Sequence, residues 1–323
     1  MNIAHVAYRK RSEGHPGGVP LFGHYLARCL GAREWSWGDY DADDKATYRD
    51  EPSAAEALGR WLVRAGKLEG VDAIVVDGFW GRGIVDVGAP IFSVAHGTWR
   101  GIGRACNSPN ALWLGDVQAS EYERSLTVAV SRHVERELRD LYEVRAIATI
   151  RNGVDTDEFR PAPPPSWERL VVMYPSDAWP KGGDIVAALR SRLPHFRFCT
   201  IGAGIGQEAA AIAAADIYLS PSRSDGNAYA GIQALACGLP VVASRTGLFA
   251  EIDDGFLDGY SVGRRVDAVD TRPETVARWE AALRTVADNR REWGRAARAW
   301  AEEYATLDRW AEEWRLLLET YAR

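Results

Sequence analysis

The 323-residue chain has no window approaching the ~20 consecutive apolar residues that a membrane-spanning helix needs. Its opening, MNIAHVAYRKR, lacks the apolar core of a secretory signal, so a cytoplasmic location is expected. Cysteine is scarce. Cys29, Cys106, Cys199 and Cys237 lie far apart with no C-x-x-C pair, which argues against a disulfide framework and a thiolate metal site and fits free thiols in a reducing compartment. The dinucleotide fingerprint G-x-G-x-x-G is missing, so no nicotinamide cofactor is inferred. Positive charge is in deficit: 39 Lys and Arg face 45 Asp and Glu, giving a net charge of −6. That balance argues against a polyanion such as duplex DNA as the main partner.

The length exceeds what one hydrophobic core usually serves, so two domains are expected. Asn152-Gly153-Val154-Asp155 is a turn signal, and Pro161-Ala162-Pro163-Pro164-Pro165 reads as a stiff linker. We therefore expect domains at 1–160 and 161–323. Each repeats short apolar runs and helical patterns: strands at 2–8, 73–77, 91–95, 126–130 and 146–150, then at 170–174, 196–201, 216–219 and 241–243. This alternation predicts an α/β class with parallel sheets. The stretch Trp35 to Pro52 is acidic and turn-rich and is expected as a surface loop. The thirteen tryptophans are scattered, which suits packing better than a sugar-stacking platform. Helices from 273 to 321 carry Leu, Trp and Ala on one stripe and are expected to pack against the domains, the last returning toward the first domain.

Chemistry is most concentrated between Ser220 and Glu251. An apolar run leads into a Ser-, Asp- and Gly-rich loop, a helix pattern from Ala228 to Cys237, and a second strand at Val241-Val242-Ala243. This order puts the loop at the carboxyl end of a parallel strand, where open α/β sheets bind ligands. Backbone N–H groups of Asn227, Ala228 and Tyr229 are expected to be unpaired at the helix start and suited to a phosphate. Asp225 and Gln233, eight residues apart, flank that point. In the first half, Gly14, Gly17 and Gly18 follow the first strand, as a structural turn or as a backbone approach to a ligand. His96 ends the run Ile91 to Ala95, a crevice position that favours a site role over that of a satisfied core histidine.

Taken together, these motifs resemble the retaining glycosyltransferases with two facing Rossmann-like domains and a cleft between them, the GT-B architecture. Gly17-Gly18-Val19 is similar to the family's N-terminal glycine loop, and His96-Gly97 to its cleft histidine. The run Ile150 to Pro161 (IRNGVDTDEFRP) is similar to the segment before the interdomain linker, Lys181-Gly182 to the phosphate-binding lysine, and Asp216 to Glu251 to the donor signature. In that signature two glutamates eight residues apart bind the donor sugar and the ribose. Here Asp225 and Gln233 stand in their places. Asp225 keeps the charge on a shorter arm, and the Gln233 amide can still bond a vicinal diol. The family's arginine ahead of the lysine has no counterpart in 174–180, and Thr246-Gly247 replaces two glycines.

The resemblance implies retaining, metal-independent transfer from a UDP- or GDP-sugar to a glycan, lipid or small-molecule acceptor, with no cofactor. His96, Lys181 and Asp225 would be catalytic. Gly17, Gly18, Lys181, Asp225, Gly226, Asn227, Ala228, Tyr229 and Gln233 would bind the donor. The acidic run Asp39 to Asp44 lies in the wrong half for a donor metal. The leaving phosphate would take the acceptor proton. Three alternatives stand beside this reading: a non-catalytic nucleotide-sugar binder, a nucleotide-sugar epimerase, and a DNA-modifying glycosyltransferase. Peripheral membrane association and the oligomeric state are left open.

Overall fold

Short runs of Val, Ile and Ala, apolar on both faces, form parallel strands because only a sheet covered on both sides hides them. The computed structural model describes residues 1–162, 169–202 and 204–322. Pro163, Pro164 and Pro165 of the expected linker, and Ala203 of the second glycine run, lie outside the described residues. The chain forms two compact units: Met1–Arg151 with Trp310–Arg323, and Asn152–Arg309.

In order, the first unit contains β1 (Ile3–Ala7), α1 (Gly18–Leu30), β2 (Arg33–Ser36), α2 (Glu51–Arg64), β3 (Ala73–Asp77) and β4 (Ile91–Ala95). It continues with α3 (Trp99–Cys106), α4 (Pro109–Tyr122), β5 (Leu126–Ala129), α5 (Arg132–Tyr142) and β6 (Ala148–Thr149). Its sheet runs β2-β1-β3-β4-β5-β6, and each neighbouring pair is parallel. Strand order reverses at β1, so the crevice between the carboxyl ends of β1 and β3 is the topological switch point. Side-chain caps start the helices: Asp50 accepts from Ser53 N at α2, Thr98 from Gly101 N at α3, and Ser131 from Val134 N at α5.

The second unit contains β7 (Leu170–Tyr174), α6 (Gly183–Arg192), β8 (Phe196–Thr200), α7 (Glu208–Ala213), β9 (Ile217–Ser220), α8 (Tyr229–Ala236) and β10 (Val241–Ala243). A small hairpin of β11 (Phe256–Leu257) and β12 (Tyr260–Ser261) precedes β13 (Gly263–Arg265) and α9 (Pro273–Tyr304). Its five-stranded sheet runs β13-β10-β9-β7-β8, again all parallel, with the switch between β7 and β9. α10 (Leu307–Tyr321) follows, its residues from Trp310 onward belonging to the first unit.

Several tryptophans serve packing, while Trp113 and Trp179 are exposed. Trp279, Trp300 and Trp314 are fully buried, and Trp310 and Trp314 meet Phe22 of α1 edge-on at 5.5 and 5.6 Å. Among the described residues no helix is long and apolar enough to cross a membrane.

Two stretches differ from the sequence expectation. The run 35–52 is more than a surface loop: Trp35 and Ser36 lie in β2, and Ser36, Tyr40 and Pro52 are buried. Its carboxylates stay near water while the aromatics between them turn inward. Trp37 stacks on Tyr40 at 4.7 Å, and Asp39 pairs with Lys10 at 2.7 Å. Residues 99–122, in which no element was expected, form α3 and α4. Two glycines in the eight residues of α3 lower its helix propensity, yet Gly103 lets Leu112 of α4 pack against its backbone.

Candidate functional site

Each switch point gathers polar side chains, and the two are built differently. In the second unit, the loop after β7 makes a one-turn helix, Trp179–Lys181, closed by Gly182 in the left-handed region at φ 77°. A side chain on Gly182 would collide with the backbone oxygen of Pro221, so only glycine lets the two loops approach. That approach brings Lys181 Nζ within 2.8 Å of Asp225 Oδ2. Lys181 remains about one-third exposed, while Asp225 is largely covered.

Asp225 has a second task. Its Oδ1 accepts from Ala228 N at 3.0 Å, and Ala228 adopts a left-handed conformation at φ 47° just before α8. Ala228 N–H is therefore not unpaired, contrary to the sequence expectation, because the Asp225 side chain caps the turn as Asp caps helix starts elsewhere. Asn227 is 2% exposed, and neither its Oδ1 nor its Nδ2 has a hydrogen-bond partner among the described residues. An unsatisfied buried amide is costly, which marks this side chain as awaiting a polar partner. Gln233 is buried on α8, five residues beyond the cap, and Gly226 and Tyr229 flank the turn that precedes it. The structure thus places Lys181, Asp225, Gly226, Asn227, Ala228 and Tyr229 around one loop crossing.

Arg223 was not singled out from sequence. Its guanidinium forks onto Asp184 at 2.9 and 2.8 Å, donates to Trp179 O at 2.6 Å, and lies 4.0 Å from the centre of the Trp179 ring. Its backbone N–H donates to Pro180 O at 2.9 Å. This side chain, 7% exposed, clamps the Lys181 turn to the loop after β9. No residue in 174–180 could supply such a clamp. The arginine missing ahead of the lysine is matched by one that arrives from a different strand and binds protein.

In the first unit, a cavity of about 570 Å³ opens at the carboxyl ends of β1, β3 and β4. Tyr8, Asp77 and His96 line it from the strand ends, Val19 and Pro20 from α1, and Trp99 from α3. Gly17 is the N-cap of α1 at φ 119° and Gly18 its first residue, so the glycine loop borders this cavity. His96 Nε2 lies 2.8 Å from Asp77 Oδ1, and His5 Nε2 lies 3.2 Å from the same oxygen. On the far side, His5 Nδ1 is 3.7 Å from Glu34. Burial alone would depress His5, but the Asp77 charge and hydrogen bond, with the Glu34 carboxylate nearby, outweigh it and raise its pKa to about 9. Burial would likewise raise Asp77, yet the charges of His5 and His96 hold it down to about 2. Asp77 and His5 are members of this site that the sequence did not disclose.

Comparison with known proteins agrees with this architecture. Residues 206–317 match the family described as GT4-conflict, Family 4 Glycosyltransferase in conflict systems. No curated protein matches the chain by sequence. Among solved structures, sucrose-phosphate synthase (tll1590) from Thermosynechococcus elongatus superposes with a TM-score of 0.81 at 13% identity, covering 99% of both chains. Anabaena Alr3699/HepE in complex with UDP gives 0.71 at 17% identity, over 99% of this chain and 100% of that one. WaaG, a glycosyltransferase involved in lipopolysaccharide biosynthesis, gives 0.68 at 14% identity, over 96% and 98%. The chain has the GT-B fold, and its segment 206–317 is similar to the GT4-conflict glycosyltransferase family.

Proposed function

We propose that the chain is a retaining, metal-independent glycosyltransferase that moves a sugar from a UDP- or GDP-sugar to a hydroxyl acceptor. The observation that carries this reading is the Lys181–Asp225 pair at the switch point of the second unit. As the bond from the anomeric carbon to the diphosphate breaks, negative charge collects on the β-phosphate and positive charge on the sugar. Lys181 supplies a cation for the first, and Asp225 an anion for the second. A lysine ammonium has three donors, so one can stay on Asp225 while the others take phosphate oxygens. Asn227 offers a buried amide in the same turn, and Gln233 offers one for a ribose diol. The charge of Lys181 supports a donor held without a metal. His96 and the cavity of the first unit form the acceptor side, with Gly17 and Gly18 at its edge.

The Anabaena HepE structures hold UDP and UDP-glucose, which favours a uridine donor for this chain also. Thermal stabilisation by UDP-, GDP- and dTDP-sugars, measured with and without a chelator, tests the donor class, since a ligand of the native state raises the melting temperature. We expect a shift with one UDP- or GDP-sugar that survives chelation, together with slow release of the nucleoside diphosphate. A shift lost on chelation overturns metal independence, and no shift with any donor overturns the reading. One observation favours a second reading: Gln233 is neutral where the donor signature has an acid. A nucleotide-sugar shift without any release of diphosphate would make the chain a binding protein.

A further inference from the structure

A buried cluster lies behind the first unit's cavity. His5 sits in the middle of β1 and Asp77 at the end of β3, and the strand register, His5 opposite Val75, brings their side chains together. Asp77 Oδ1 receives both histidines, while Oδ2 is buried without a hydrogen-bond partner among the described residues. A buried carboxylate held ionised by its neighbours can only accept hydrogen bonds. His96 must then carry a proton on Nε2, facing Asp77, so that in the neutral imidazole the lone pair stands on Nδ1. Gln118 accepts from Trp99 N and from the Tyr142 hydroxyl and donates to Gly97 O. Val19, Pro20, Trp99 and Ile102 give the lining an apolar part, and Tyr8, Arg9, His15 and Glu51 give it a polar one. A cavity of this size and mixed make-up suits a small ring that presents hydroxyls to the polar side and C–H surface to the apolar one.

We propose that Asp77 is a positioning residue: it locks His96 as the Nε2–H tautomer, so that Nδ1 accepts a hydrogen bond from a hydroxyl of a sugar ring bound in this cavity. His5 and Glu34 hold Asp77 from behind. The identity of that sugar ring as the acceptor rests on the glycosyltransferase reading, whereas the tautomer and the cavity do not.

The test is a long-range proton–nitrogen correlation spectrum of the ¹⁵N-labelled full chain at pH 7, where six histidines give few signals. H96Q and H5Q assign the two rings. The expected spectrum shows His96 protonated on Nε2 alone and His5 protonated on both nitrogens. A wild-type His96 protonated on Nδ1 overturns the proposal without any further variant. In D77N, checked for fold by circular dichroism, the amide can turn its NH2 group toward the ring, so the Nδ1–H form should appear; an unchanged tautomer removes Asp77 from the role. Methyl gluco-, galacto- and mannopyranosides are then titrated into the wild type. A shift of the His96 Nδ1 resonance with at least one supports the ligand class, and no shift with any overturns it. Failure here with a nucleotide-sugar thermal shift intact leaves the glycosyltransferase reading standing. A glycoside shift with no nucleotide response leaves this inference standing alone.

Discussion

The two switch points solve the same topological problem with opposite use of burial. In the second unit the charges ride on loops: Lys181 and Asp225 meet at 2.8 Å with the lysine still partly in water. In the first unit they are sunk into the sheet, where His5 is 1% and Asp77 5% exposed. A loop pair can open for a ligand at small cost, because water screens each partner when they separate. A buried cluster cannot, since each charge loses its only compensation when a neighbour leaves. The difference separates a region suited to exchanging partners during turnover from one suited to holding a single side chain still.

The largest effect should come from the buried side. His5 has its pKa at about 9 against 6.5 unfolded, a gap worth about 3 kcal/mol. Its charge faces Asp77 from β3 and Glu34 from β2, with His96 sharing the Asp77 oxygen. Because the folded value is raised, this stability is complete below pH 6.5 and is lost as the pH climbs to about 9. Asp77 runs the other way: its contribution holds above pH 3.8 and is lost as the pH falls toward about 2. In H5Q, urea unfolding at pH 6 should be easier by about 3 kcal/mol, and the gap from wild type should close by pH 9. A gap that stays constant with pH would mean that His5 is neutral and that the two switch points do not differ in this way.

On the loop side, K181A should leave stability nearly unchanged and reduce kcat/KM for transfer by at least ~10², the size expected when a group that stabilises leaving-group charge is lost. Turnover equal to wild type would take Lys181 out of the site. A loss of stability as large as that of H5Q would erase the contrast between the regions.

The same contrast explains what could be read in advance. Strands such as Ala73–Asp77, Ile91–Ala95 and Leu170–Tyr174 are legible to the residue, because a parallel strand buried on both faces is an unbroken apolar run. The Lys181 and Asp225 loops are legible because their residues stand in a recognisable order along the chain. His5 and Asp77 are not. One interrupts an apolar strand and the other ends one, and 72 residues separate them. Only the pairing of β1 with β3 makes them neighbours. Arg223 hides for a related reason: an arginine in a Ser-rich loop reads as solvated until Asp184 and the Trp179 ring are seen to enclose it. The α3–α4 region hides because close packing, not propensity, forms it.

Arg223 lies between the extremes, a buried ion pair attached to a mobile-looking function. R223A removes a forked charge pair and a cation–π contact, which should cost about 2 kcal/mol in stability. If the clamp sets the Lys181 turn, transfer should also fall by about 10-fold with the donor KM rising, and R223K should restore stability better than activity, since an ammonium cannot fork. A stability loss with unchanged kinetics would show that the Lys181 turn holds its place without the clamp.

The smallest effect belongs to Gln233, whose replacement by Glu restores the acid of the donor signature. A carboxylate accepts both hydroxyls of a ribose diol, whereas the amide offers one acceptor and one donor head. Charge-assisted hydrogen bonds are roughly twice as strong as neutral ones, so Q233E should tighten nucleoside diphosphate binding by up to about 10-fold. Gln233 is 7% exposed on a helix whose other side chains, Ala230 aside, are buried, and a new charge there needs the ligand to satisfy it. The variant should therefore be less stable than wild type when free and gain more from the nucleotide. A melting temperature that drops without the nucleotide and recovers with it would show that the position faces the ribose. An equal drop in both conditions would show a buried charge with no ligand beside it, and would move the ribose contact away from α8.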